Sequence, residues 1–299
     1  MARRPDRVRI VGIPQDLGQS LRGVDMGPSA LRYAGLARRL SRIGLSVEDA
    51  GNVEVEFRDL LDGESGMACL DAVAATAERV ARAASSAVSE GSVPLFLGGD
   101  HSIALGTIAG VTAEAPVGVL WIDAHGDFNV PETSPTGNIH GMPLAALMGL
   151  GAPELVDLCR KGPKLEPPDA IIVGARSVDE GERRLLSEHG VGIYTMREID
   201  ERGISAVARE ALKRLEHRDR IHVSFDVDSL DPLIAPGVGT PVPGGLEYRE
   251  AHLLMEIVAD DGRLSSLDVV EINPILDERN RTAEVAVELV ASMLGQRIL

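Results

Sequence analysis

Apolar residues along this chain fall into two periodicities. Short apolar runs at residues 8–12, 93–97, 117–122, 170–173, 191–194, 221–225 and 267–272 carry the Val, Ile and Leu of buried strands. Pro94 is compatible with the second run, because proline is tolerated near the start of a strand. Between or after these runs lie stretches with helical spacing. In 28–43, Leu31, Leu36, Leu40 and Ile43 share a face; in the Ala-rich 69–89, Leu70, Val73, Ala77, Val80 and Ala84 do so. Further helices are predicted over 103–109, 142–147, 181–189, 205–217, 249–259 and 282–294. Repeated strand-then-helix order predicts right-handed crossovers and a parallel sheet covered on both faces, an α/β fold. No Pro-, Gly- or Ser-rich linker and no fixed-period repeat interrupts the pattern, so residues 1–299 are expected to form one domain. The longest irregular stretches, 127–141, 160–168 and 229–246, are long enough to suggest functional loops.

Composition narrows the picture. Apolar residues make up 44% and aromatics only 3%, so the core is aliphatic, as suits helices packed on a parallel sheet. The net charge of −16 repels phosphate backbones and anionic lipid, which argues against nucleic acid and membranes as partners and favours a cationic ligand. No apolar run approaches the roughly 18 residues of a membrane span. Arg3 and Arg4 precede Pro5, Asp6 and Arg7 rather than an apolar stretch, so no signal peptide is expected and the protein reads as cytoplasmic. Cys69 and Cys159 lack metal-type spacing and read as buried free thiols. The Asn280-Arg281-Thr282 sequon carries no meaning without secretion.

The chemistry gathers where strands end. The 93–97 strand runs into Gly98-Gly99-Asp100-His101-Ser102, and 117–122 runs into Asp123-Ala124-His125-Gly126-Asp127. The 221–225 strand runs into Asp226-Val227-Asp228-Ser229-Leu230-Asp231-Pro232. Open parallel sheets bind ligands beyond the carboxyl ends of their strands, so these three clusters are expected to converge. Side chains two apart on an extended chain share a face, which lets Asp123, His125 and Asp127 address one cavity, and likewise Asp226 and Asp228. With His101 this makes four carboxylates and two imidazoles, too much negative charge for a dry site without cations. Two divalent ions would balance four aspartates, and carboxylates bridge ions about 3.5–4 Å apart in two-metal hydrolases. Oxygen-dominated donors with some imidazole suit Mn²⁺ better than a thiolate-preferring ion. Asp100 and Asp231 read as turn or cap residues, and His189, His217, His222 and His252 as surface or packing residues.

These three motifs resemble the signatures of the ureohydrolases, a family of arginases, agmatinases, guanidinobutyrases and formimidoylglutamases. The similarity extends from the 18–28 segment to Val270-Glu271-Ile272-Asn273-Pro274. It implies a three-layer α/β/α fold with an eight-stranded parallel sheet. It implies one manganese ion on His101, Asp123, Asp127 and Asp226, and a second on His125, Asp123, Asp226 and Asp228, with Asp123 and Asp226 bridging. Two cations sharing a water yield hydroxide near neutral pH, able to attack a guanidinium carbon.

By the same resemblance Asp127 passes a proton to the departing amine and His140 shuttles protons, a task suited to an imidazole pKa of about 6.5. Glu271 would pair with the guanidinium, a strong and directional contact, and Thr240 would line its pocket. Asn129 and Thr136 would hydrogen-bond an α-carboxylate; Asp179 and Glu182 would hold the ammonium. Thr136 stands where the family pattern has serine. The second loop, 177–182, favours L-arginine as substrate over agmatine. Agmatinase or guanidinobutyrase activity shares every metal ligand and stays open, as does a non-catalytic arginine-binding or regulatory protein on the same fold. The related single-zinc deacetylases lack the full six-residue set. No GxxxxGK[ST] loop or early GxGxxG supports nucleotide binding. The resemblance further implies a homo-oligomer, trimer or hexamer.

Overall fold

Eight strands form one sheet among the described residues of the computed structural model, which are 6–61 and 65–297. They are β1 (Arg7–Ile13), β2 (Ser46–Asn52), β3 (Val93–Gly98), β4 (Gly118–Ile122), β5 (Ala170–Ala175), β6 (Gly192–Thr195), β7 (Ile221–Asp226) and β8 (Leu264–Val270). Their order is β2-β1-β3-β8-β7-β4-β5-β6, and every ladder is parallel. The Arg3-Arg4-Pro5 segment lies outside the described residues.

The alternation of side chains along each strand feeds two separate cores. Val8 and Ile10 of β1, Leu95 and Leu97 of β3, Leu120 and Ile122 of β4, and Val223 and Phe225 of β7 face one side. Against them pack α1 (Gly27–Tyr33), α2 (Leu36–Arg42), α8 (Met196–Arg202), α9 (Ile204–Arg214), α10 (Tyr248–Asp261) and α11 (Arg281–Met293). Val11 and Ile13, Phe96, Val119 and Trp121, and Ile172 face the other side. That side is closed by α3 (Leu70–Ser89), α4 (Ala104–Glu114), α5 (Pro143–Leu147), α6 (Pro153–Val156) and α7 (Glu180–His189). The result is helix, sheet, helix: the three-layer α/β/α arrangement expected from the resemblance.

Five elements differ from the sequence reading, among them the short helix α6, which no apolar periodicity announced. The helix predicted over 28–43 is two helices, because Gly35 takes φ 85 between them, a left-handed conformation that stops α1 and restarts the chain as α2. The edge strand β2 was absent from the apolar pattern: its sequence SVEDAGN offers one large apolar residue, and most of it faces solvent. Helix α8 was also unforeseen, although a capping box between Thr195 and Glu198 announces it. The last strand ends at Val270 rather than reaching residue 272, and Glu271 turns out of the sheet with φ 66.

All three motif clusters follow the carboxyl ends of β3, β4 and β7. The sheet order places β4 beside β7 and sets β8, which precedes Glu271, between β3 and β7.

Candidate metal centre

His101 begins the first turn after β3, with Asp100 as its cap; the Asp100 carboxylate accepts from the Ser102 backbone N–H at 3.0 Å. The His101 ring stacks on Trp121 with centroids 4.1 Å apart. Its Nε2 lies 2.8 Å from Ser224 Oγ, whose hydroxyl in turn donates to Asp268 Oδ2 at 3.3 Å. With the serine proton spent on Asp268, Ser224 Oγ accepts from His101 Nε2–H, and the lone pair of the neutral ring is left on Nδ1. That nitrogen is buried without a hydrogen-bond partner, yet carboxylate oxygens of Asp127, Asp123 and Asp226 stand 2.9, 3.0 and 3.2 Å from it. One imidazole lone pair facing three carboxylates in a buried site is repulsive unless a positive charge sits among them. A cation satisfies the arrangement. Without one, a proton on His101 does: burial opposes that proton, but the three aspartates hold the ring's pKa well above its ordinary value.

A second donor group adjoins the first through Asp123. His125 Nδ1 lies 3.1 Å from Asp228 Oδ2 and 3.4 Å from Asp123 Oδ1. Burial works against its charge, yet Asp228 and Asp123 push the pKa up to about 12. His101, Asp123 and Asp226 thus form one metal-ligating group, and Asp123, His125 and Asp228 another. Asp226 shows the strain of the ion-free cluster: burial, then Asp228 and Asp123, raise its carboxyl well above the usual range. Asp127 reaches His101 from an unusual backbone, φ 49, where few residues with a Cβ are found. The residues fit a pair of cations sharing at least one carboxylate.

The cluster opens into a solvent-connected cavity lined by His125, Asp127, Asp226 and Asp228 from the cluster and by His140 beside it. Asn129, Thr136, Asp179, Glu182 and Thr240 line the same cavity, so the residues chosen from the sequence come together. Ser134, Asn138 and Ser177 line it too and were missed; the first two lie in the 127–141 loop that the sequence marked as functional. Thr240 donates to Asp228 Oδ2 at 2.8 Å. Asn129 Nδ2 donates to Asp179 Oδ2 at 2.7 Å, while Asp179 Oδ1 caps α7 by accepting from the Glu182 N–H at 2.9 Å. Glu182 turns inward: its Oε1 accepts from the Phe128 N–H at 2.9 Å, and burial pushes its carboxyl up to about 8.

Glu271 does not line the cavity. Its Oε1 accepts from the His101 backbone N–H at 2.9 Å and sits 2.9 Å from His140 Nδ1. Burial disfavours a charged His140, but the Glu271 carboxylate outweighs it and raises the pKa to about 9. Gln19, which the sequence did not single out, donates from Nε2 to Glu271 Oε2 at 2.8 Å. The residues read as structural are so placed: His222 is buried between Ser266 and Asp268, His252 faces Ser292, and His217 pairs with Asp169.

A doubly wound sheet with two overlapping carboxylate–imidazole groups at its carboxyl edge defines a metal-dependent α/β protein whose site is built for paired divalent ions. The model of the arginase family matches residues 6–295, and the chain belongs to that family. It is 50% identical over 296 residues to an arginase of Bacillus caldovelox, covering 98% of this chain and 99% of the relative. An arginase of Bacillus subtilis is also 50% identical, over 293 residues, with 98% and 99% covered. Among solved structures, the Bacillus caldovelox arginase superposes with a TM-score of 0.95 at 49% identity, covering 99% of this chain and all of that one.

Proposed function

We propose that this chain hydrolyses L-arginine to L-ornithine and urea, using two manganese ions. One ion is assigned to His101, Asp123, Asp127 and Asp226, the other to His125, Asp123, Asp226 and Asp228. The observation that carries the reading is a single cavity lined both by the donor cluster and by Asn129, Thr136 and Asp179. Arginases related over nearly the full length support the substrate, and the oxygen-rich donor set supports manganese.

When bound, a pair of divalent ions would acidify water and so supply hydroxide near neutral pH. The chain's own residues do the rest. Asp179 meets the ammonium group of the amino acid. Asn129 keeps one amide hydrogen for the α-carboxylate after the other is given to Asp179, and the Thr136 hydroxyl supplies a second donor. Thr240 shapes the guanidinium end. Asp127 carries a proton to the departing amine. His140, anchored through Nδ1 on Glu271, exchanges protons with solvent, and Glu271 supplies the negative charge behind it.

In the same reading residues 1–299 form one domain, assembled as a homotrimer or hexamer in the cytoplasm, which the family resemblance supports. Release of urea from L-arginine by the manganese-loaded protein, lost on chelation and regained on adding the ion, tests the reading. No turnover of any guanidino compound by the loaded protein would leave only a binding role.

A further inference from the structure

Glu271 has two carboxylate oxygens and three donors around them. The His101 N–H and His140 both lie on Oε1; Gln19 Nε2 is the partner of Oε2, across 252 residues of chain. Gln19 is itself buried. Its neighbour holds the other half of the pair: Gly18 O accepts the His140 backbone N–H at 3.1 Å. Gly18 also donates its own N–H to Asp100 Oδ2 at 2.8 Å. A Cβ at Gly18 would stand 2.7 Å from Asp100 Oδ1 and 2.8 Å from Ser102 Oγ, so the approach requires glycine. The dipeptide is tied down on both flanks. Arg58 Nη2 donates to Gln19 O at 2.5 Å, Gly66 N–H to Leu17 O at 2.9 Å, and Ser20 Oγ to Asn138 Oδ1 at 2.9 Å.

We propose that Gly18-Gln19 is the positioning element of the His140–Glu271 pair, one residue fixing the histidine backbone and the next fixing the glutamate carboxylate. The left-handed backbone of Glu271 sets where its side chain starts, but the final torsion of a glutamate is soft. Two contacts on Oε1 leave the carboxylate plane free to swing about that oxygen; the Gln19 amide on Oε2 stops it. Because the amide is neutral, it orients the carboxylate without discharging it, so the charge stays available to His140. Gln19 is a positioning residue that touches no substrate in this arrangement.

The test rests on the proposed hydrolysis only through its readout, so it is run on whichever guanidino compound the wild-type protein turns over fastest. A wrong substrate reading then shows in the wild type before any variant is compared. Gln19→Met keeps the length of the side chain and removes the donor. The manganese-loaded variant should keep its melting temperature and ion content, with kcat lowered by about 10–10²-fold and KM changed much less, as for a small misplacement of a reacting group. In a His140→Asn background the same substitution should add almost nothing, because both act on one unit. An unchanged kcat, or an equal loss with and without His140, overturns the proposal. Should Gln19→Met fail to fold, Gln19→Glu decides: its carboxyl donates to Glu271 only while protonated. Its turnover relative to wild type should therefore rise as pH falls, and a ratio flat with pH overturns the proposal.

Discussion

Asn129 and Asp179, fifty residues apart, meet at 2.7 Å and join the two loops that flank the cavity. The remaining oxygen of the Asn129 amide accepts from Thr133 Oγ1 at 2.8 Å, so the amide cannot flip without losing both contacts. The rim is thereby set before a ligand arrives, and its carboxylate and amide are presented at fixed places.

Asp179 has two tasks that substitution can separate. Asp179→Asn retains a capping side chain for α7, whereas Asp179→Ala should also lower stability by about 1 kcal/mol. Both should raise KM for L-arginine by about 10-fold or more, the worth of one charge-assisted hydrogen bond, with ion content unchanged. Glu182→Gln should have a smaller effect. Burial raises its carboxyl to about 8 in the ion-free protein, which favours the protonated form there. Steady-state kinetics and elemental analysis check all three. Equal losses for Asp179→Asn and Glu182→Gln would mean that Glu182 binds the ammonium as an anion.

His140 should bind its proton tightly in the ion-free protein. Its folded pKa, about 9, lies above the ordinary 6.5. The stability gained from the charged pair is therefore complete below about 6.5 and lost as pH rises through 9. An imidazole titration followed by NMR should give a midpoint near 9, falling in Glu271→Gln. A midpoint unmoved by that substitution would mean that the 2.9 Å contact carries no charge coupling. In the loaded enzyme, His140→Asn should cost about 10²–10⁴-fold in kcat, partly restored by added imidazole.

The ions should act as structural staples as well. Asp123, Asp226 and Asp228 are almost wholly buried together, and Asp127 is nearly so. Chelation should lower the melting temperature. Manganese at about 100 times its Kd should restore about 2.7 kcal/mol for each ion bound, from mass action alone. Asp123 belongs to both donor groups, so Asp123→Asn should lower the content of both ions, whereas His125→Ala should spare the one near His101. Elemental analysis showing one tightly held zinc and full activity would refute a paired site.

Much of this was legible along the chain because the chemistry follows apolar strands directly. Asp123, His125 and Asp127 are displayed as soon as β4 ends, and the same holds for His101 after β3 and for Asp226 as the last residue of β7. What escaped notice had no such signal. Strand β2 is an exposed edge held by β1 alone, so burial left no apolar alternation in it. Gly35 splits a continuous helical pattern through backbone geometry that the apolar spacing does not reveal. Gln19 reaches Glu271 across 252 residues, and a lone glutamine in a loop looks the same whether its amide meets water or a buried carboxylate. Glu271 was found, but its left-handed backbone and its contact with His140 were not, since both depend on where β8 stops.

The comparison of L-arginine with agmatine bears most directly on the central claim. The two compounds share the guanidinium and the amine and differ by the α-carboxylate, which this reading assigns to Asn129 and Thr136. Charge-assisted hydrogen bonds are each worth about 1.5–3 kcal/mol, so kcat/KM should favour L-arginine by at least about 10-fold. Thr136→Val should erode that ratio by lowering only the L-arginine value, while Asp179→Asn should depress both substrates together. Measured on the manganese-loaded wild-type protein, a ratio well above one is the expected result. A ratio at or below one would contradict the arginine assignment and leave the paired-ion chemistry acting on a decarboxylated guanidino compound.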